Sequence, residues 1–172
     1  EDVILGCREP AERRHHRFRR RRRPDQPDVE AAAVSEMLRR QRVAQATVDR
    51  FRSVPFAYGE NDCARLAAFV LRQMGHKPGL AKAGSYSSAL GAARALKRLG
   101  HDDLASALDA LGLIRIPPIA SLPADLIMVP GEGPFGGAIA MAVGNGRVLG
   151  YHEDLDGADI LQPVEFVGAW RL

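Results

Sequence analysis

Cysteine is scarce in this sequence. The 172-residue chain has two, Cys7 and Cys63. They lie in segments of different character, so no disulfide framework is expected and a reducing history is the default. Long apolar runs are missing: no stretch reaches 18 residues, which excludes a transmembrane helix as an expectation. Val3-Ile4-Leu5-Gly6 is too short for the apolar region of a signal peptide. No Lys-Ser/Thr follows the loop Gly131–Gly137, so it is not a phosphate loop, and it reads as the frame of a cleft edge. Glu153, Asp154, Asp156 and Asp159 lack the spacing and terminal Glu of a calcium loop, so a solvated turn is expected there. No metal site, no cofactor and no membrane partner follow from these residues. Aromatic content is 6% with one Trp; Trp170 and Tyr58 read as core or cleft-wall rings.

What is present is enough for one ordinary domain with an extension. Apolar residues make up 46% of the chain, sufficient for a core at this length. The net charge of +3 hides an asymmetry. Residues 1–23 hold nine Arg and four acids, whereas residues 24–172 hold fifteen basic and seventeen acidic side chains. The body is close to neutral and does not read as a nucleic-acid-binding domain. Residues 1–34 read as a disordered arm, because the block Arg13–Arg23 repels itself and has little to bury. Its functional reading is a tether to nucleic acid or to an acidic surface. The first Met is Met37, which admits a further reading of residues 1–36 as an extension foreign to the native protein.

The domain is expected over 35–172. Ser35 can cap a helix running to Phe51, with Leu38, Val43, Ala44, Val48 and Phe51 at helical spacing. Val54-Pro55 breaks it. A second helix begins at Cys63, with Asn61 or Asp62 as cap, and ends before Gly75. Further helices are expected over 89–99, after Ser87 or Ser88, and from Asp102 or Asp103 to about Leu111. These two are Ala/Leu-rich and read as packing. After Pro123 the texture changes to short strands. They are expected at 125–129, in a hairpin of 138–143 and 147–152 around Gly144-Asn145-Gly146, at 158–162 and at 167–172. Leu113–Ile116 reads as one more short strand. Helices followed by an antiparallel meander predict an α+β fold, with the N-terminal helices packed on one face of a small antiparallel sheet.

Phe56-Ala57-Tyr58-Gly59-Glu60-Asn61-Asp62-Cys63 places one thiol at a helix start, where unpaired N–H groups and the helix dipole favour a thiolate. The opposite reading is a core cysteine, since Leu66, Ala67, Val70 and Met74 share its helix face. A base for cysteine chemistry must come from His76, His101 or His152, because His15 and His16 lie in the arm. His76 sits past the far end of the helix, roughly 20 Å from Cys63 at 1.5 Å per residue. His101 reads as the neighbour of a helix cap. His152 is the one histidine expected on the sheet. A two-residue hairpin loop, Asn145-Gly146, sets it opposite Ile139. A three-residue loop, Gly144–Gly146, sets it opposite Ala138.

Asp62-Cys63 at a helix start, Ala124-Asp125-Leu126-Ile127-Met128, the hairpin about Gly144-Asn145-Gly146 and the end Gly168-Ala169-Trp170-Arg171-Leu172 together resemble the NlpC/P60 cysteine-peptidase superfamily. The nearer likeness is to small phage and prophage proteins of no settled function that carry a Phe-Ala-Trp-Gly-x-x-Asp-Cys start, here with Tyr58 for the Trp. The likeness spans about Phe51–Leu172. It implies a papain-like core with Cys63 at the nucleophile position. It also implies cleavage of amide bonds in peptidoglycan peptides, with phage tail proteins as the other class of partner. The localisation it implies is the virion, or the bacterial cytoplasm before assembly. In the superfamily a catalytic His begins the first hairpin strand; that position is Ala138 here, so the catalytic set is incomplete unless His152, set opposite Ala138, supplies the base. Cys63 and His152 are thus the candidate catalytic pair, the Cys63 N–H helping to hold the oxyanion. The other expectation is a catalytically inactive structural or assembly module of a phage tail, and a weaker one is nucleic-acid binding through Arg13–Arg23.

Overall fold

The computed structural model describes residues 29–172. Most of the Arg-rich arm, with Cys7 and the block Arg13–Arg23, lies outside the described residues. The first helix, α1, spans Val29–Phe51, six residues further toward the N-terminus than Ser35. The helix start expected at Ser35 is thereby moved: Ala31-Ala32-Ala33 are strong helix formers and let the helix run through Ser35 without a cap.

Three shorter helices follow, each opened by a side-chain cap. In α2 (Cys63–Gln73), Asp62 accepts from the Arg65 N–H. In α3 (Ala89–Arg98), Ser88 accepts from the Gly91 N–H. In α4 (Leu104–Asp109), Asp103 and Ser106 cap each other reciprocally. Each cap pairs one of the free N–H groups of a helix start. The loop between α2 and α3 contains a 3-10 turn at Leu80–Ala83, which the pattern did not foretell. Gly75 and Gly100, with φ of +88° and +87°, lie just beyond α2 and α3, in the left-handed conformation that ends helices.

The strands are β1 (Ile114–Ile116), β2 (Leu126–Val129), β3 (Ala138–Gly144), β4 (Arg147–Gly150), β5 (Asp159–Leu161) and β6 (Gly168–Arg171). They form one sheet in the order β1-β6-β2-β3-β4-β5, with every pairing antiparallel. The protein is an α+β fold. The last strand inserts between β1 and β2, so the sheet does not follow chain order.

One face of the sheet meets the helices. Leu126, Met128, Ile139, Met141, Leu149 and Trp170 pack there against Val43 and Phe51 of α1, Leu66 and Val70 of α2, and Leu104 and Leu108 of α4. The other face carries small side chains, Ala140, Ala142 and Ala169, with Ile127 and Val148. It is covered in part by Ile116 of β1 and Leu161 of β5. Ile116 lies directly opposite Ala169 and Leu161 directly opposite Val148, so both edge strands extend this face, a small second core, across the sheet.

A buried ionic cluster joins α1 to the last strand. Asp125, fully buried, accepts from Arg40 Nη1 at 2.7 Å, from the Leu122 N–H at 2.8 Å and from the Leu172 N–H at 3.1 Å. Arg171 Nε lies 3.0 Å from its second oxygen. Arg40 also donates to the Leu172 carbonyl. Among the described residues no helix is long and apolar enough to cross a membrane.

Candidate active site

Cys63 is the first residue of α2, and the preceding loop is built to hold it there. Asp62 is 3% exposed. One of its oxygens accepts from the Arg65 N–H and caps the helix; the other accepts from the Gly59 N–H at 2.7 Å and closes the turn before it. Gly59 has φ +80°, and a Cβ there would stand 2.1 Å from the Tyr86 carbonyl oxygen. The loop therefore needs glycine both for its dihedral and for this approach. Phe56 stacks edge-on with Tyr58 and with Tyr151, at centroid distances of 4.7 and 5.2 Å.

Strand parity decides what Cys63 faces. The hairpin turn has two residues, Asn145-Gly146, both at positive φ. A register shift between Ala142 and Gly144 then restores the pairing that a three-residue loop would give: Ala142 opposes Val148 and Met141 opposes Leu149. Both expected alternatives are thus partly realised, because a bulge takes up the extra residue. In this register Ile139 and Met141 face the helices, while Ala140 and Ala142 face the second core. Ala138 has the parity of Ala140, and its partner on β2, Val129, packs on the second core. Ile139 and Tyr151, not Ala138 and His152, are the residues turned toward α2.

His152 follows the end of β4 and stands apart. Its ring accepts at Nδ1 from the Asp154 N–H at 3.2 Å and lies 3.4 Å from the Asp154 carboxylate. Its side chain is 51% exposed, and it is not part of the cavity wall that contains Cys63. His76 continues past α2, where its N–H bonds to the Leu71 carbonyl. His101 belongs to the cavity wall, at the junction of α3 and α4.

The electrostatics follow from this packing. Cys63 keeps some exposed surface as a residue, but the sulfur itself is enclosed. Burial is the main cause that pushes its pKa up to about 11, and the Asp62 charge adds to it. The backbone N–H groups of Ile139, Ala64 and Cys63 pull the other way without overcoming burial. The helix start thus supplies donors, but the thiol keeps its proton at neutral pH. Burial also raises the Tyr151 pKa, to about 12, with the charges of Asp62 and Cys63 adding. The Tyr151 hydroxyl is buried without a hydrogen-bond partner. Tyr86, raised chiefly by burial and next by Asp62, completes a cluster of one carboxyl, one thiol and two phenols.

Asp62, Cys63 and Tyr86 of this cluster line a cavity of about 390 Å³ between α2, α3, α4 and the 3-10 turn. Phe135, from the Gly/Pro loop, lines it, as expected of a loop framing a cleft, and so does Tyr58. Neither Tyr86 nor Tyr151 was singled out by the sequence, because no local pattern marks a tyrosine brought in from another element. Among the described residues no group of three or more His, Cys, Asp or Glu is placed to hold a metal ion.

A family model described as "Domain of unknown function (DUF6950)" matches residues 37–172. The chain belongs to this family. The match takes in every strand, α2 to α4 and most of α1, so the Cys63 loop, the ionic cluster and the cavity all lie within the family's domain. No curated protein and no solved structure shows significant similarity to the chain.

Proposed function

We propose that this domain is a papain-like, NlpC/P60-type fold kept in a phage or prophage protein as a binding and assembly module of the tail, without amide hydrolysis. One observation carries the non-hydrolytic part. The thiol at the nucleophile position is enclosed and protonated, and the groups that act on it are a carboxylate and peptide N–H groups, with no imidazole among them. Cysteine hydrolysis needs a thiolate and a base within hydrogen-bond reach. Here His152 is paired with Asp154 instead. The resemblance in the Phe56–Cys63 start and the Gly168–Leu172 end supports the fold type and the phage setting.

Two measurements test the reading. Peptidoglycan stem peptides incubated with the protein should release no new amine, and particles produced by the native host should carry the protein whether position 63 is Cys or Ala. Amide turnover that disappears in Cys63→Ala would establish the hydrolase instead. Absence of the protein from particles would remove the tail assignment.

A further inference from the structure

The cavity behind Cys63 has a shape and lining that its position beside a thiol does not require. Along α2 its wall runs from Cys63 through Ala67 and Ala68 to Leu71, which at 1.5 Å per residue is a length of about 12 Å. The opposite wall comes from Ala95 and Leu99 of the α3 side and from Ala107 and Leu111 of the α4 side. Alanine and leucine make up more than half of the lining, with Phe56, Tyr58, Tyr86 and Phe135 among the rest. Its polar groups are gathered mainly at the Asp62–Cys63–Tyr86 end, with His101 further along the wall. Alanines on three converging helices hold the space open, since each contributes a wall but little volume. Sites for small molecules have this character: a few hundred Å³, mostly apolar, with polar groups at one place to fix orientation.

We propose that this cavity is a binding site for one unbranched aliphatic chain carrying an uncharged polar head, the head lying at the Cys63 end. A volume of 390 Å³ takes about a dozen carbon-sized groups at the roughly 30 Å³ of a water-sized unit. The length and the volume together describe a slot for a single chain. An anionic head is disfavoured because it would meet the like charge of the Asp62 carboxylate in the wall. A hydroxyl, ester or amide head instead finds the Cys63 thiol and the Tyr86 hydroxyl in the wall, with the unpartnered Tyr151 hydroxyl nearby. The inference goes beyond the assembly role and holds whether or not the protein sits in a tail.

The test is calorimetric titration of residues 1–172 with primary alcohols from hexanol to hexadecanol. Affinity should rise roughly fourfold per added methylene and level off near ten to twelve carbons, where the slot is full. Decanoate should bind more weakly than decanol. Ala95→Leu and Ala107→Leu place a larger side chain in the slot. Each should keep the parental circular dichroism and weaken decanol by about fifteenfold, roughly the contribution of two methylenes. Ala107 is only partly buried, so its variant remains informative if Ala95→Leu does not fold. No saturable binding of any alcohol would overturn the proposal. So would affinity that climbs without a break beyond fourteen carbons, or folded Ala107→Leu binding decanol as the parent does.

Discussion

Cys63 keeps its proton at neutral pH because enclosure outweighs the helix start. With a folded pKa of about 11 against about 8.5 for a free thiol, the folded state holds the proton more tightly than the unfolded one. That contribution to stability is fully present below pH 8.5 and is lost as pH rises through 11. We therefore expect iodoacetamide to leave Cys63 unlabelled at pH 7.5 in the folded protein and to label it in denaturant. Urea midpoints of Cys63→Ala should fall less steeply than the parent's between pH 8.5 and 11. Asp62 is the companion case. Asp62→Ala removes both the α2 cap and the acceptor for the Gly59 N–H, and should cost about 2 kcal/mol, the upper end for a cap, measured by urea unfolding. Asp62 was legible in the sequence, because a cap depends on a side chain and the backbone three residues away. What Cys63 would face was not legible. That depends on which parity of β3 turns inward and on the β3–β4 register, which a bulge beside the turn shifts by one residue.

Among the elements, the hairpin and the helix starts follow their local chemistry most closely. Asn145 and Gly146 take φ of 54° and 71°, the pair of positive values that a two-residue turn joining twisted strands requires. Asn145→Val puts a β-branched residue into that conformation and should cost on the order of 1–2 kcal/mol, read as a lowered thermal midpoint with the sheet signal intact below it. The helices α3 and α4 show the opposite case. Their caps and ends were readable, yet their Ala/Leu faces were expected to fill a core, and many of those residues line the cavity instead. Spacing shows which side of a helix is apolar. It does not show whether the facing helix comes close enough to fill the gap. The early start of α1 was missed for a related reason: Ser35 can cap a helix, but nothing forces a strong helix-forming run to stop there.

For the whole molecule, the decisive contacts join residues far apart in sequence. Arg40 and Asp125 are 85 positions apart, and no periodicity links a buried arginine in α1 to an aspartate before β2. Asp125→Ala would leave the Arg40 charge buried with its best acceptor gone, and should cost about 3–5 kcal/mol, measured by urea unfolding. A second long-range contact sits at the molecule's rim. Asp109, at the end of α4, accepts two hydrogen bonds from Arg115 and one from the Trp170 indole at 2.8 Å. Arg115 first, and Trp170 next, draw its pKa down to about 2. Its contribution to stability is present above the ordinary carboxylate value near 3.8 and is lost as pH falls through 2. Thermal midpoints of Asp109→Asn should therefore change less than the parent's between pH 4 and 2. The α+β class was readable from helices followed by a meander. The insertion of β6 was not, because which strands become neighbours depends on the finished core.

That insertion has a consequence for how the chain is made. Synthesis runs from the N-terminal side, and β6 is the last of these six strands to emerge, yet it supplies the hydrogen bonds between β1 and β2. Until residue 171 has left the ribosome, β1 has no neighbour and one side of β2 is open, while Asp125 lacks the Arg171 side chain and the Leu172 N–H. A growing chain therefore holds unpaired strand edges until β6 emerges, the condition that invites wrong pairing. The sheet closes only once β6 is available, so its closure comes after the other five strands are made.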